Sequence, residues 1–353
     1  MLYKPDWEKV QERFRAWWNC ELVDRCCIQV YAPRGSQPTV REPDDLESWW
    51  TDMEWRVAAA EDGMRRTYYG GEAFPIFYPN LGPDVFAAWF GAEMVYKDRT
   101  TSWSVPLVKD WAEFDQKVKL DKTAKWWSLI EEGTRLGIER GAGRFIVGLT
   151  DIHGGGDALA AFRDPMVLNL DCIEHPDEVR RAMKFVEKVW PDIYMHFYNI
   201  TRPHQLGTST WLQAWSPGKY YPVSCDFICM VSPKMFREFF LDELVAECNW
   251  LDHSLFHLDG PGALKHLDDL LAIPTLNGIQ WVPGANSGPA TQWIALLKRI
   301  QAAGKCIHFS VPANEIKPLM EALSSKGLML ATSVSSIEEA EALIRQVATL
   351  THE

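Results

Sequence analysis

Apolar residues along this chain recur with two periods, and the alternation between them predicts its elements. Residues 6–18 carry Trp7, Val10, Phe14 and Trp17 or Trp18 on one face of a 3.6-residue helix, opened by Asp6. CCIQVYAP (26–33) reads as an apolar strand stopped by Pro33, and a longer helix follows from Asp44 or Asp45 to about Arg66. AFPIFYPN (73–80) is strand-like and broken by prolines. Residues 81–120 hold LGPD, FGAE and TTSWSVP, which predict an insertion of short elements rather than a regular unit. Residues 122–140 and 176–198 are helical, and RFIVGLT (144–150) and TSTWLQAW (208–215) read as strands. By its Pro and Gly content, 216–233 reads as a loop, with Ser232-Pro233 starting the next helix. Strands at 254–258, 276–281, 306–311 and 328–332 follow, with helices over 290–303, 314–326 and 336–350.

Strands beginning near 26, 74, 145, 208, 254, 276, 306 and 328, each followed by helical sequence, predict a (β/α)8 TIM-type barrel. The whole of 1–353 reads as one domain, with 1–70 as an N-terminal helical extension plus the first strand. No linker or internal repeat divides it.

Composition changes that picture only at the level of partners. A formal charge of −12 with pI near 5.3 and no basic cluster argues against nucleic acid and for a small-molecule ligand. The N-terminus lacks an apolar signal segment and no apolar run is long enough to span a bilayer, so a cytoplasmic protein is expected. Eight cysteines without a CxxC pair read as reduced thiols. Seventeen tryptophans, several adjacent in sequence, predict mostly structural rings with a few available to line a pocket.

Candidate chemistry lies where apolar runs stop, because ligands of parallel α/β sheets sit at the carboxyl ends of strands. In SLFHLDGPGALKHLDDLLAIPTLNGIQWVPG (254–284), His257 and Asp259 end one strand, and Gln280 and Trp281 end the next. His257 and Asp259 alternate along extended chain, which suits metal ligands or an acid/base pair. They equally suit a buried, carbonyl-bonded histidine and a helix-capping aspartate. Cys306 and His308 have the same spacing, and one of them is a candidate third ligand; otherwise both are core. In DIHGGGD (151–157), Asp151 or His153 is a candidate site residue, against a simple tight turn with Asp157 capping the next helix. Trp211, Gln213 and Trp215 alternate, and Tyr220, Tyr221 and Trp281 lie near the same expected rim; all are candidates for enclosing a substrate.

From about residue 205 onward the chain resembles the uroporphyrinogen decarboxylase superfamily, which includes corrinoid-dependent methyltransferases acting on methanol, methylamines and coenzyme M. The resemblance rests on the Cys225-Asp226 loop with MVSPKMFREFFLDEL (230–244), on HLDG (257–260) and on the closing LMLATSVS (328–335). It implies methyl transfer between a small molecule and a corrinoid carried by a partner protein, with zinc as a possible metal. His257 matches the family's histidine ligand, Asp259 stands where a cysteine would, and Thr332 and Ser333 stand where the last strand would offer a thiol. A His/Asp set is harder than a thiolate set and suits oxygen or nitrogen at the reacting centre. Asp226 and His153 would act as acid/base or hydrogen-bonding groups. The superfamily's metal-free decarboxylases supply the alternative, a decarboxylase or lyase acting on a small carboxylate. A barrel that only binds a ligand is a third reading.

Overall fold

The computed structural model describes residues 1–353, a mixed α/β fold whose centre is a largely parallel sheet with helices packed outside it. The strands are β1 (Cys27–Pro33), β2 (Thr67–Gly71), β3 (Ile76–Phe77), β4 (Met94–Tyr96), β5 (Ser102–Ser104), β6 (Ile146–Val147), β7 (Tyr220–Ser224), β8 (His253–Asp259), β9 (Gly278–Val282), β10 (Cys306–Ser310) and β11 (Leu328–Ser333). The main sheet runs β2-β1-β11-β10-β9-β8-β7, parallel throughout except for β2, which is antiparallel to β1. β3 and β6 form a separate parallel pair, and β4 and β5 a hairpin within 81–120.

The arrangement is barrel-like without being a closed barrel, which corrects the expectation of eight continuous βα units. β2 occupies the edge of β1 that a second parallel strand would need. On the other side, β6 reaches the rest of the fold through irregular chain, with the Leu149 amide donating to the Ser209 carbonyl at 2.9 Å. The predicted strand at 208–215 is a loop closed by a lone Thr208–Ser216 bridge, and the predicted loop at 216–233 contains β7. Pattern misled here for a physical reason. Tyr220 to Ser224 are all buried, so no polar alternation marks them, whereas the alternation in 208–215 comes from a loop folded under the sheet.

One other boundary shifts. The helix predicted to run unbroken to Arg66 is two helices, Leu46–Thr51 and Met53–Arg65, divided by Asp52, whose side chain caps the second by accepting from the Trp55 amide. Asp45 caps the first through the Ser48 amide, as Asx residues do at N-caps.

The N-terminal helix Trp7–Trp18 closes the amino end of the sheet. Val10, Phe14, Trp17 and Trp18 pack with the first inward residues of the strands, Cys27, Ile146, Tyr220, Leu255, Cys306 and Met329. Trp17 Nε1 donates to the Gly327 carbonyl and Trp18 Nε1 to that of Trp215, so both buried indoles are satisfied. That packing fills the amino end of the sheet and leaves its carboxyl end open.

Glu72 fixes this plug to the sheet. It is fully buried, receives two hydrogen bonds from Arg25 at 2.7 and 2.8 Å and one from the Ile28 amide at 2.7 Å, and lies 3.3 Å from Arg13 of the N-terminal helix. Replacing one member of a buried ion pair strands the other charge. Glu72→Gln is therefore expected to cost about 3–5 kcal/mol in urea denaturation, and a loss below about 1 kcal/mol would show that the pair behaves as an exposed one.

Candidate functional site

Parallel register decides which side chains meet at the open end. Ser224, His257, Gln280 and His308 stand on one row across β7, β8, β9 and β10, and Asp259 lies two residues further up β8 on the same face. His257 Nδ1 faces Gln280 Oε1 at 2.5 Å. An amide oxygen only accepts, so Nδ1 carries the proton and Nε2 is left with a free lone pair. The ring of Trp211 meets His257 edge-on at 5.2 Å and His153 at 6.2 Å, forming one wall.

Asp226 completes the cluster. One ligand atom each from Asp226, His257 and Asp259 lie within 4.8 Å of one another, a grouping able to hold a metal ion. Asp226 follows β7 at the first position of the helical turn Asp226–Met230. Asp157 holds that turn in place by accepting from the Asp226 amide at 3.0 Å and the Phe227 amide at 2.9 Å, with Ser224 Oγ at 3.4 Å. Asp157 therefore caps the turn that carries Asp226 rather than its own helix, Gly155–Arg163, whose N-cap is Gly154. The glycines before it are required by close approach. A Cβ on Gly155 would lie 2.5 Å from Glu243 Oε2, at a backbone φ of +54° that also favours glycine, and one on Gly156 would lie 2.6 Å from Cys225 Sγ.

Asp151 and His153 form a second charged group beside the first. His153 Nε2 lies 3.2 Å from Asp151 Oδ1 but makes no well-aligned hydrogen bond, so the contact is one of charge. Tyr221 donates to Asp151 Oδ1 at 3.1 Å and accepts from the Ile152 amide at 2.5 Å. Burial raises the Asp151 carboxyl, against the lowering influence of His153 and Tyr221. For His153, burial alone would lower the pKa, but Asp151, Asp157, Asp226 and Asp84 outweigh it and the imidazole is raised. Asp226 is open to solvent at the mouth, yet loss of hydration and the nearby Asp157 push it up to about 6 against the influence of His257 and His153. Beneath the glycine turn, the buried Glu243 and Glu247 are both raised by burial, Glu243 to about 7.

A cleft of about 630 Å³ opens beside His153 and Asp226, lined also by Asp84, Trp103, Asp157 and Phe227, and reaches the cluster at Asp226 rather than at His257 or Asp259. That volume lies within the range of small-molecule sites.

The remaining sequence candidates are placed elsewhere or differently. Trp215 packs at the closed end against Trp7 and donates to the Leu206 carbonyl, because 208–215 is not a strand and does not share one face. Gln213 is half-buried, its Oε1 accepting from Tyr31 at 2.6 Å. Tyr220 belongs to the same closed-end cluster as Trp215, and Tyr221 lies in β7 with only its hydroxyl reaching the site. Trp281 is buried in β9 against Trp293 rather than in a rim loop. Cys306 and His308 share a face, as residues two apart on a strand do, but neither joins the metal-type cluster. Cys306 is at the closed end, with Sγ 2.9 Å from the Trp17 carbonyl and 3.6 Å from Cys20 Sγ. His308 lies 3.2 Å from Gln29 Oε1, and burial pushes its pKa down to about 4, which keeps it neutral. The third position belongs to Asp226, expected from sequence only as an acid/base group. Asp157, Glu243 and Glu247 were not among the sequence candidates; the glycines before Asp157 were the available signal.

No family model matches this chain, and no curated protein matches it. Among solved structures it is similar to a methyltransferase from Methanosarcina mazei, with a TM-score of 0.60 and 13% identity over 95% of this chain and 97% of that one. At that identity the likeness is one of fold. No helix is long and apolar enough to cross a membrane.

The opposing influences on His153 give a direct check. With Asp151 neutralised, burial faces less opposition, so in Asp151→Asn the His153 pKa, followed by NMR of the ring, is expected to fall relative to the parent. In the parent, a raised histidine adds stability that is present below its unfolded pKa of about 6.5 and is lost as pH rises through the folded value. An unchanged His153 titration in Asp151→Asn would show that the two groups are not electrostatically coupled.

Proposed function

We propose that this chain is an enzyme of methyl transfer, in which Asp226, His257 and Asp259 hold a divalent cation such as zinc. The methyl group passes between a small molecule, through oxygen or nitrogen at its reacting centre, and a corrinoid carried by a partner protein. The observation that carries this reading is the convergence of those three side chains at the open end of the sheet, with His257 Nδ1 tied to Gln280 and Nε2 left free. The shared fold with a methyltransferase supports it.

The donor set fits a cation. Three protein ligands leave a position for substrate, as in catalytic zinc sites, and a histidine whose second nitrogen donates to a fixed acceptor is the usual arrangement around one. Two carboxylates and an imidazole are hard ligands, matched to oxygen or nitrogen rather than to a thiol. When bound, the cation would supply Lewis acidity at the substrate's oxygen or nitrogen. The chain's own residues supply the rest. His153, raised by the carboxylates around it, can hold a proton for the departing atom, Asp151 fixes its charge, and Trp211 shields both histidines from water on one side.

A second reading has one specific observation in its favour. Without a cation, Asp226 pushed up to about 6 suits a general acid or base in a metal-free decarboxylase or lyase.

Elemental analysis after reloading with zinc separates the two. An equimolar ion is expected in the parent, most of it lost in His257→Ala and retained in His308→Ala, with Gln280→Leu weakening affinity by about 10–100-fold. Absence of stoichiometric metal would favour the second reading, and unchanged content in His257→Ala would exclude that residue as a ligand. Rapid methyl transfer from a methylated corrinoid protein to a thiol would overturn the preference for oxygen or nitrogen.

A further inference from the structure

On the far side of the loop that begins at Tyr78, a separate cavity of about 450 Å³ lies between the helices Leu46–Thr51 and Met53–Arg65 and the end of β3. Its walls are aromatic. Trp49 and Trp55 meet at 4.6 Å, and Trp50 stacks on Tyr96 at 5.2 Å with planes 10° apart. Each of the three indole N–H groups already donates to a backbone carbonyl, those of Arg99, Asp98 and Arg41. Trp50 is buried with Tyr96 stacked on it and Arg56 over it, and Arg99 lies over Trp49 at 4.7 Å, so the ring surface left to a ligand is that of the half-buried Trp49 and Trp55, without a hydrogen bond.

Charge in the cavity is unbalanced at one residue. Of the charged groups lining it, Arg99 pairs with Glu42, and Arg66 pairs with Asp62 at 2.9 Å. Arg56 has no carboxylate partner. Its one hydrogen bond runs from Nη1 to the Trp49 carbonyl at 3.1 Å, its guanidinium lies over Trp50 at 5.4 Å, and its buried Nε has no acceptor. Burial lowers its pKa, and no carboxylate offsets that loss of hydration. A buried donor without an acceptor is costly, and a guanidinium's edge matches a carboxylate in shape as well as charge.

We propose that this cavity binds a carboxylate carried on a flat aromatic body, with Arg56 taking the carboxylate and Trp49 and Trp55 the ring. The site is independent of any metal at His257. Tyr78 and Asn80 line this cavity and Asp84 lines the cleft beside His153, so one stretch of chain forms a wall of each.

Calorimetric titration of the full chain with benzoate, benzyl alcohol and acetate tests the assignment. Benzoate is expected to bind with equimolar stoichiometry and at least ~10-fold more tightly than either of the others, since each lacks one half of what the cavity reads. Arg56→Gln is expected to weaken benzoate by at least ~10-fold, as loss of a charged hydrogen-bond donor does, with zinc content unchanged. Arg56→Lys keeps the charge without the planar fork and should fall between; if Arg56→Gln does not fold, this variant decides. No benzoate binding, benzyl alcohol or acetate matching benzoate, or parental benzoate affinity in the Arg56 variants would each overturn the proposal.

Discussion

Parallel pairing of β7 to β11 is the constraint on which the rest of the structure depends. Strands that all run one way, in fixed register, must present the same rows of side chains to one end, so Ser224, His257, Gln280 and His308 come level without any contact between their own loops. Packing Trp17 and Trp18 at the opposite end leaves that row towards the open end. Asp157 then adds the one element the sheet cannot position, the turn bearing Asp226, by binding two of its amides. The His257 cluster is thus held by backbone geometry on one side and a single carboxylate on the other.

That construction concentrates negative charge. Asp151, Asp157 and Asp226 surround two histidines, and Glu243 and Glu247 lie buried under the glycine turn that carries Asp157. Loss of hydration is the main reason Asp151, Asp226, Glu243 and Glu247 are all raised, and neighbouring carboxylates add to it. Such a site is relieved by a bound cation or by protonated histidine. The cavity beyond Tyr78 differs in character, with one half-buried arginine that has no carboxylate partner among ring faces and paired charges.

Where reading the sequence and the fold diverge, the cause is burial rather than propensity. The β7 segment has no polar alternation because both of its faces are covered, and its Pro222 and flanking Gly218 carry turn signals that the tertiary contacts override. The segment 208–215 alternates convincingly, yet Trp215 donates to Leu206 and Gln213 reaches Tyr31, so its side chains satisfy partners in several directions instead of lining one face. Closure of the barrel failed for a related reason, since nothing in TYYGG announces an antiparallel strand that will occupy the edge of β1.

The sequence by itself determined that the C-terminal half alternates strands and helices and that His257, Asp259 and Gln280 end adjacent strands, because period-two apolar runs and the polar residues that stop them are local signals. It also offered His257 and Asp259 as candidate ligands with no cysteine at 332 or 333, while leaving Cys306 open as a third. Tertiary structure alone decided that Asp226, and neither Cys306 nor His308, stands within reach of that pair. It alone assigned Asp157 to the amides of a turn roughly seventy residues away, and left Arg56 without a carboxylate. Those are matters of distance between segments far apart in the chain. Residue type fixes what a side chain can bind, but only the folded backbone fixes what lies within its reach.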